Sequence, residues 1–477
     1  MRAAVLNSLL YCCNIIVLSG CRGAFRTVKN LGLPHFQWCI PASLLRSIPR
    51  GQVATSKTIL PPNGPWNRAY YRHKAGHRRA PLLTPSALVL DGEQRAALAV
   101  VRSLGRKGCL VHVGSSDARP LAGGSRFAAG ETRLPDPLKE SERFGQAVAV
   151  LAKARSVQVV IPVTEASTLA VLEQADLFAN ISVPTSDLER FRRACDKEAV
   201  LSLARTLGVA VPSQWTTSGE IGTDPAIPLQ QFPVVVKPAR SVTGDHDNRR
   251  KTGVRYSNTP EELRRTLREM GPDNGPFLIQ SRIEGYGLGV FLLRWGGEVV
   301  ASFAHRRIRE KPPSGGVSVS CESVALAPTL LAQSVSLLEA LDWTGVAMIE
   351  YKHDTRTGQN YLMEINPRFW GSLQLAIDAG VDFPWYLTQL AMGQPIDAVH
   401  QWRVGVRSRW CLGELDHLII RLRRSSAKLD LPPHAPGVLR TAGSVLIPWR
   451  PGQRGDVFRF SDPVPAFREA ITWIRAL

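Results

Sequence analysis

Paired cysteines and long apolar runs are both missing from this chain of 477 residues. Its eight Cys include no CxxC pair and are scattered over positions 12, 13, 21, 39, 109, 195, 321 and 411. This spacing argues against a zinc ribbon or a disulfide framework and favours a reducing compartment, so we expect a cytoplasmic protein. Because no apolar run reaches the roughly 18 residues that cross a bilayer, we expect no membrane partner.

Acidic residues are missing from residues 1–80, which contain twelve Lys and Arg. This segment therefore supplies +12 of the net charge of +19 and leaves only +7 for the rest of the chain. Many turn-forming residues and no sustained hydrophobic period predict that residues 1–81 are disordered. Because this basic segment has no face on which aromatic and basic residues alternate, we expect no nucleic-acid partner. Three alternatives stay open for this segment: a bacterial lipoprotein signal ending at Cys21, an organellar transit peptide, and a start codon assigned too early.

A regular pattern begins near residue 84, in a chain whose 44% hydrophobic and 21% charged residues are typical of a globular protein. The runs SALVLDG, CLVHVGSS and VQVVIPV predict strands that alternate with helices, so residues 82–190 should form an α/β domain with a parallel sheet. No GxGxxG follows the first strand, which argues against a dinucleotide-binding fold. Residues 401–477 predict a basic C-terminal extension whose role the sequence does not indicate.

Two neighbouring strand predictions, GVAMIEYK (345–352) and YLMEINPRFW (361–370), carry an unusual pair of acids. Glu364 and Asn366 share a parity and so point to one face. If the hairpin is symmetric about Thr357, Glu350 lies opposite Glu364, and at about 5 Å with an effective dielectric of about 20 the two repel by roughly 3 kcal/mol. A divalent cation would offset this repulsion, whereas a solvated hairpin with another register is the alternative. The repulsion predicts that Glu364→Gln leaves the metal-free protein equally stable or more stable.

An ordered series of motifs then carries a family resemblance. The series is Asp196-Lys197 at a helix start, Lys237-Pro238 at the end of a valine-rich strand, LIQSRIEG, AMIEYK and LMEINPRFWGS. It resembles the ATP-grasp superfamily, and within it the predicted carboxylate–amine ligases related to the carbamoyl-phosphate synthase large chain. The resemblance implies an α/β protein in which 82–190 is a pre-ATP-grasp domain and 191–400 is a two-lobed, α+β ATP-grasp domain.

The resemblance also implies ATP and Mg²⁺, or Mn²⁺, as cofactors. Lys197 and Lys237 would meet the triphosphate as point charges. Three oxygen-bearing side chains on the paired strands would hold the metal, namely Glu350, Glu364 and Asn366. Arg368, just beyond the strand-ending Pro367, would stabilise the transferring phosphoryl group or the acyl phosphate formed from it, and Arg307 is the second catalytic candidate.

Further positions are implied for the rest of the nucleotide. Gln280 and Ile283 occupy the hinge that would read adenine. Many relatives place an acidic residue or His for the ribose at positions that here hold Gly287 and Leu288, which leaves Glu284 as the substitute. The loop 240–253 would close over the phosphates and exclude water.

A cationic run follows on the next strand and contains His305, Arg306, Arg307 and Arg309. It would hold the acceptor substrate, although alternation along a strand turns some of these side chains toward solvent. The predicted function is a ligase that activates a carboxylate as an acyl phosphate for attack by an amine or another nucleophile, releasing ADP and phosphate. Two alternatives are a bicarbonate-activating enzyme similar to carbamoyl-phosphate synthase and a non-catalytic ATP-binding protein. The expected partners are small-molecule carboxylates and amines, and a homodimer stays open.

Overall fold

The structure is a computed structural model that describes residues 85–217, 226–244, 249–251, 253–271, 276–424, 429, 431, 435–447 and 452–476. The predictions made for residues 1–81, including the lipoprotein and transit alternatives, lie outside the described residues. The same is true of the middle of the predicted phosphate loop, residues 245–248.

The first sheet is parallel throughout, with the strand order β3-β2-β1-β4. Its strands are β1 (Ser86–Val89), β2 (Leu110–Ser115), β3 (Gly130–Arg133) and β4 (Val159–Ile161). The connecting helices are α1 (Arg95–Arg106), α2 (Ser141–Ala154) and α3 (Glu165–Leu172), and two helices follow, α4 (Leu188–Cys195) and α5 (Lys197–Thr206). The strands are apolar runs and the helices that connect them are amphipathic. This pattern suits a parallel sheet, because crossover helices cover its faces and bury its strands. The parallel sheet predicted within residues 82–190 is confirmed.

The second sheet, which we call the small sheet, is antiparallel with the strand order β5-β10-β6-β9. The elements of this region are β5 (Gln214–Thr217), β6 (Val234–Pro238), β7 (Val242–Thr243), β8 (Arg250–Lys251), β9 (Arg255–Ser257), α6 (Pro260–Met270) and β10 (Phe277–Ser281). Strands β7 and β8 pair only with each other. Helix α6 begins at Pro260 because the Thr259 side chain accepts a hydrogen bond from the backbone N–H of Glu262.

The large sheet has the strand order β15-β14-β11-β12-β13-β16-β17. Its strands are β11 (Gly285–Trp295), β12 (Glu298–Lys311), β13 (Val317–Ser323), β14 (Gly345–Asp354), β15 (Asn360–Asn366), β16 (Arg407–Arg409) and β17 (Gln453–Gly455). The helices of this region are α7 (Pro328–Ala340), α8 (Leu373–Ala379), α9 (Phe383–Ala391), α10 (Cys411–Arg423), α11 (Val438–Leu446) and α12 (Val464–Ala476). None of the helices in the described part of the chain has the length and apolarity needed to cross a bilayer.

The two faces of the large sheet belong to two separate hydrophobic cores. Along β11, Phe291 joins a core with Trp370 and the first sheet, whereas its neighbour Val290 joins a core with Phe191 and Trp343. Successive strand residues point to opposite faces, and a strand buried on both faces reads as the continuous apolar run GVFLL. We call the face of Phe291 the inner face and that of Val290 the outer face.

The C-terminal extension is tied to both the large sheet and the first sheet. Strands β16 and β17 extend the large sheet. Arg102 of α1 and Asp462 are each about 1% exposed and pair at 2.8 Å between Nε and Oδ2. Asp462 also accepts hydrogen bonds from the Ser125 hydroxyl and from the backbone N–H of Arg126. A buried ion pair with its remaining groups satisfied holds this segment against α1.

Candidate active site

The opposed acids of the β14–β15 hairpin are present in the predicted register. Glu350 pairs with Glu364, whereas Tyr351 pairs with Leu362, so a bulge leaves Met363 without a partner in the ladder. The pairs between the bulge and the hairpin loop are therefore symmetric about a point between Arg356 and Thr357. On the other side of the bulge, Glu350 and Glu364 have the predicted pairing. The register prediction is confirmed, and the bulge that delivers it could not be read from the hairpin loop.

Two buried lysines converge on Glu364 from different elements. Lys197 is the first residue of α5, and its Nζ lies 3.5 Å from Oε2 of Glu364 and donates a hydrogen bond of 2.7 Å to the hydroxyl of Ser241. Lys237 lies near the end of β6, and burial lowers its pKa to about 8 although Glu364 acts in the opposite direction. The backbone N–H of Lys197 donates to the carbonyl of Ala239 at 2.9 Å, which joins the start of α5 to the end of β6.

The pKa of Glu364 shows which interaction dominates at this point. Burial alone would raise it, but Lys197 and Lys237 outweigh burial and hold it at about 2. The prediction that Glu364 experiences a net repulsion is therefore wrong for this structure. The ammonium groups of Lys197 and Lys237 attract its carboxylate more strongly than Glu350 repels it. Removing the Glu364 charge would leave two buried cations short of a partner.

Glu350 has its own cationic partner, Arg307 of β12. Nη2 of Arg307 donates a hydrogen bond of 2.5 Å to Oε2 of Glu350. Arg307 also donates to Glu310 at 2.7 Å and to the carbonyl of Gly316 at 3.0 Å. Burial still raises the pKa of Glu350. Gly287 of β11 makes room for this guanidinium, because a Cβ there would lie 2.7 Å from Cδ of Arg307.

The cationic run of β12 divides between the two faces of the sheet. His305 and Arg307 lie on the inner face with Glu350, since Gly289 pairs with both Glu350 and His305. Arg306 pairs with Leu288 and Glu322 and so lies on the outer face. Register shifts after Arg307 put Arg309 opposite Ser320, and Arg309 pairs with the buried Glu414. The predicted cluster of four beside the site is thus reduced to His305 and Arg307, because strand alternation and the bulges turn the other two away.

His305 is uncharged in this setting. It is fully buried, and burial together with the neighbouring Arg307 lowers its pKa to about 3. Its Nδ1 lies 3.4 Å from the Ser372 hydroxyl, while its buried Nε2 has no hydrogen-bond partner among the described residues.

The strand ends at Asn366 for a reason visible in the side chains. The Asn366 amide donates to Oε1 of Glu364 at 3.0 Å and accepts from Nη2 of Arg368 at 2.9 Å. Pro367 has no N–H for a ladder, and the backbone N–H of Arg368 turns back to the carbonyl of Asn366. Arg368 is therefore carried past the sheet and held next to the acids.

Glu165, the first residue of α3, is a site residue that the sequence reasoning missed. Burial raises its pKa, while Arg368 and Lys197 lower it and Glu364 raises it, so this carboxylate lies among those groups. It also accepts a hydrogen bond from the backbone of Val242, in the predicted phosphate loop. The helix start is fixed by Thr164, whose side chain caps α3, and by Asp91, which accepts hydrogen bonds from Thr164 and Ser167. The only sequence signal was the strand-to-helix junction at VTEAST.

The predicted adenine positions lie on and beyond β10. Leu278 pairs with Lys237, so Gln280, two residues on, shares the face of Lys237. Leu278 packs in the outer-face core of the large sheet, which means that this face of the small sheet is turned toward the large sheet. Gln280 is buried and donates to Oε1 of Gln214 at 3.0 Å. Ile283 is half-buried and Glu284 is exposed.

The two opposed acids and the Asn366 amide bring oxygen atoms of the kind that bind Mg²⁺ to one end of the hairpin. Among the described residues, no three His, Cys, Asp or Glu side chains are grouped as a metal centre. Mg²⁺ is commonly held by one or two carboxylates and completed by phosphate oxygens and waters. Glu350, Glu364 and the Asn366 amide fit that donor set, provided a phosphate-bearing ligand supplies the rest.

The comparisons with known proteins agree with this geometry. Residues 273–413 match the family described as "ATP-grasp in the biosynthetic pathway with Ter operon", so the chain contains an ATP-grasp domain and the resemblance seen in the motifs is confirmed. The carbamoyl phosphate synthase large chain of Methanoculleus marisnigri is 24% identical over 273 residues, which are 54% of this chain and 24% of that protein. The chain thus spans about a quarter of the length of that relative.

Solved structures share the fold at low identity. An L-amino acid ligase from Bacillus licheniformis matches with a TM-score of 0.52 and 17% identity over 66% of this chain and 75% of its own. The N5-carboxyaminoimidazole synthetase from Staphylococcus aureus, solved in complex with ADP, matches with a TM-score of 0.52 and 14% identity over 68% of this chain and 80% of its own. These likenesses show the fold alone.

Proposed function

We propose that the protein is an ATP- and Mg²⁺-dependent ligase that activates a carboxylate as an acyl phosphate and transfers the acyl group to an amine or another nucleophile. The observation that carries the proposal is the convergence of Lys197, Lys237 and Arg368 on the opposed acids Glu350 and Glu364. Such a set of cations and carboxylates suits a triphosphate with its divalent ion better than it suits any neutral ligand.

Each residue of the site has a task in this scheme. Lys197 and Lys237 bind phosphate oxygens when ATP enters, and their ammonium groups then share their charge between Glu364 and the nucleotide. Glu350, Glu364 and Asn366 would hold Mg²⁺, which when bound neutralises charge on the phosphates. Arg368 stabilises the negative charge that develops on the transferring phosphoryl group. Arg307 pairs with Glu350 and orients its carboxylate.

The chemical steps balance without a redox partner. A carboxylate oxygen of the substrate attacks the γ-phosphorus, the bond to the β–γ bridging oxygen breaks, and ADP leaves. The amine then attacks the acyl carbon, phosphate leaves, and the amine proton passes to solvent. A two-lobed arrangement would exclude water from the acyl phosphate.

A carboxylate–amine ligation is favoured over the alternatives by two supports. The L-amino acid ligase shares the fold, and the acids and lysines of the proposed site are all present, which a purely structural ATP-binding protein would not need. Bicarbonate activation is kept as the second candidate because the matching relative is a carbamoyl phosphate synthase large chain.

A screen for ADP release tests the proposal. The full chain would be incubated with ATP, Mg²⁺ and pooled carboxylates with pooled amines, and with bicarbonate alone in a parallel set. We expect ADP release that requires one carboxylate and rises with one amine, and that disappears in Arg368→Ala. ADP release with bicarbonate alone would favour the second candidate, and ATP binding without turnover in any pool would favour a binding protein.

A further inference from the structure

A polar row crosses the outer face of the large sheet, on the side opposite Glu350. Arg306 of β12 pairs with Glu322 of β13, Glu322 pairs with Arg407 of β16, and Arg407 pairs with Gln453 of β17. Directly paired residues share a face, so these four side chains stand side by side. The row ends where the apolar core stops, at Leu288 of β11.

A cavity of about 280 Å³ opens over this row. Besides the four residues of the row, its walls include Tyr286 and Ser444. Strands β16 and β17 and helix α11, which complete the cavity, all belong to the C-terminal extension. The volume is close to the lower end of ligand pockets, which is roughly 300 Å³, and it therefore suits a small metabolite.

The charges in the cavity are left unbalanced. Arg306 donates Nε and Nη2 to one oxygen of Glu322, and Arg407 donates Nε to the other. The remaining N–H groups of these two guanidiniums have no partner among the residues that the structure describes. One carboxylate thus serves two cations, and the row keeps one positive charge. Arg306 and Arg407 are also 47% and 39% exposed, so a ligand can reach them.

A second polar group in the cavity lacks a partner. Oε1 of Gln453 is buried and accepts no hydrogen bond from any described residue. An unsatisfied buried amide oxygen carries a desolvation cost. A ligand with an N–H or O–H group would remove that cost.

We propose that this cavity binds a small monocarboxylic acid that also carries a hydroxyl or amino group. Its carboxylate pairs with the unused N–H groups of Arg306 and Arg407, which suit planar anions, and its hydroxyl or amino group donates to Oε1 of Gln453. The row lies on the face of the sheet opposite Glu350, and although Arg307 contributes to the walls of the cavity, its guanidinium pairs with Glu350 on the other face, so both sites fill at once.

Calorimetric titration with L-lactate and propionate tests this inference, since the two acids differ in one hydroxyl. We expect saturable binding of both, with L-lactate tighter by about threefold to tenfold, the range of one neutral hydrogen bond. Arg407→Gln should weaken both acids by about tenfold or more. Gln453→Leu should remove the preference for L-lactate and retain the binding of propionate, which keeps the test valid if the Arg407 variant does not fold.

Lys237→Ala serves as the matched control, because it removes a buried cation from the proposed nucleotide site. It should leave L-lactate binding unchanged, and saturating ATP should leave it unchanged as well. Absence of saturable binding, equal binding in Arg407→Gln, competition with ATP, or binding of inorganic phosphate without binding of L-lactate would each overturn the proposal.

Discussion

Replacing Glu364 by Gln should destabilise the protein in the absence of Mg²⁺ and nucleotide. The folded-state pKa of Glu364 is about 2, against an ordinary value of 4.5. A depressed carboxylate pKa stabilises the fold above pH 4.5, and this stabilisation is lost as the pH falls from 4.5 toward 2. The difference corresponds to about 3 kcal/mol at neutral pH, an upper value because the side chain is 27% exposed. The substitution also removes the group that supports the protonated form of Lys237.

Denaturant unfolding at pH 7 and at pH 3, with chelator present, measures this effect. Glu350→Gln is the matched control, because burial raises the pKa of Glu350 and its partner Arg307 keeps Glu310 and the carbonyl of Gly316. We expect Glu364→Gln to lose about 2–3 kcal/mol at pH 7 and less at pH 3, and Glu350→Gln to lose clearly less at pH 7. Equal or greater stability of Glu364→Gln at pH 7 would refute the reasoning and restore the simple repulsion between the two acids.

Three other predictions concern the proposed nucleotide site, the buried Arg102–Asp462 pair and the N-terminal segment. Lys237→Ala should weaken ATP binding by about tenfold or more, the equivalent of one charge-assisted hydrogen bond. Arg306 lies on the outer face of the large sheet, so Arg306→Ala should leave ATP binding unchanged. Equal losses of affinity in a nucleotide titration of the two variants would contradict the assignment. Asp462→Asn should lower the free energy of unfolding by about 3 kcal/mol because it leaves Arg102 buried without its counter-ion. An unchanged denaturation midpoint would show that this pair does not hold the C-terminal segment. A chain beginning at residue 82 should fold and bind ATP, since the regular pattern begins near residue 84, and loss of soluble protein would show that the N-terminal segment contributes to the core.

The sequence was sufficient for features that depend on local order. Strand parity put Glu364 and Asn366 on one face, and Pro367 marked the end of β15. The start of α5 at Lys197 and the strand-terminal Lys237 followed from a helix cap and a valine run, both of which are local signals.

The sequence was insufficient where two distant segments meet or where a strand loses its simple alternation. Glu165 reaches the site only because α3 begins at the end of β4 near Arg368, about 200 residues further along the chain. Arg309 was grouped with Arg307 because the bulges that follow Arg307 in β12 leave no sequence signature. Gln453 and Arg407 are neighbours through a parallel pairing of short strands, which no periodicity indicates.

The identity of the products tests the central proposal most directly. Once a carboxylate substrate is found, the full chain would be incubated with ATP, Mg²⁺, that carboxylate and hydroxylamine in place of the amine. We predict ADP and phosphate as products together with a hydroxamate, because hydroxylamine attacks an acyl phosphate, and we predict that Arg368→Ala forms none. Release of AMP and pyrophosphate would mean that the carboxylate is adenylated, and it would contradict the proposed roles of Lys197, Lys237 and the opposed acids.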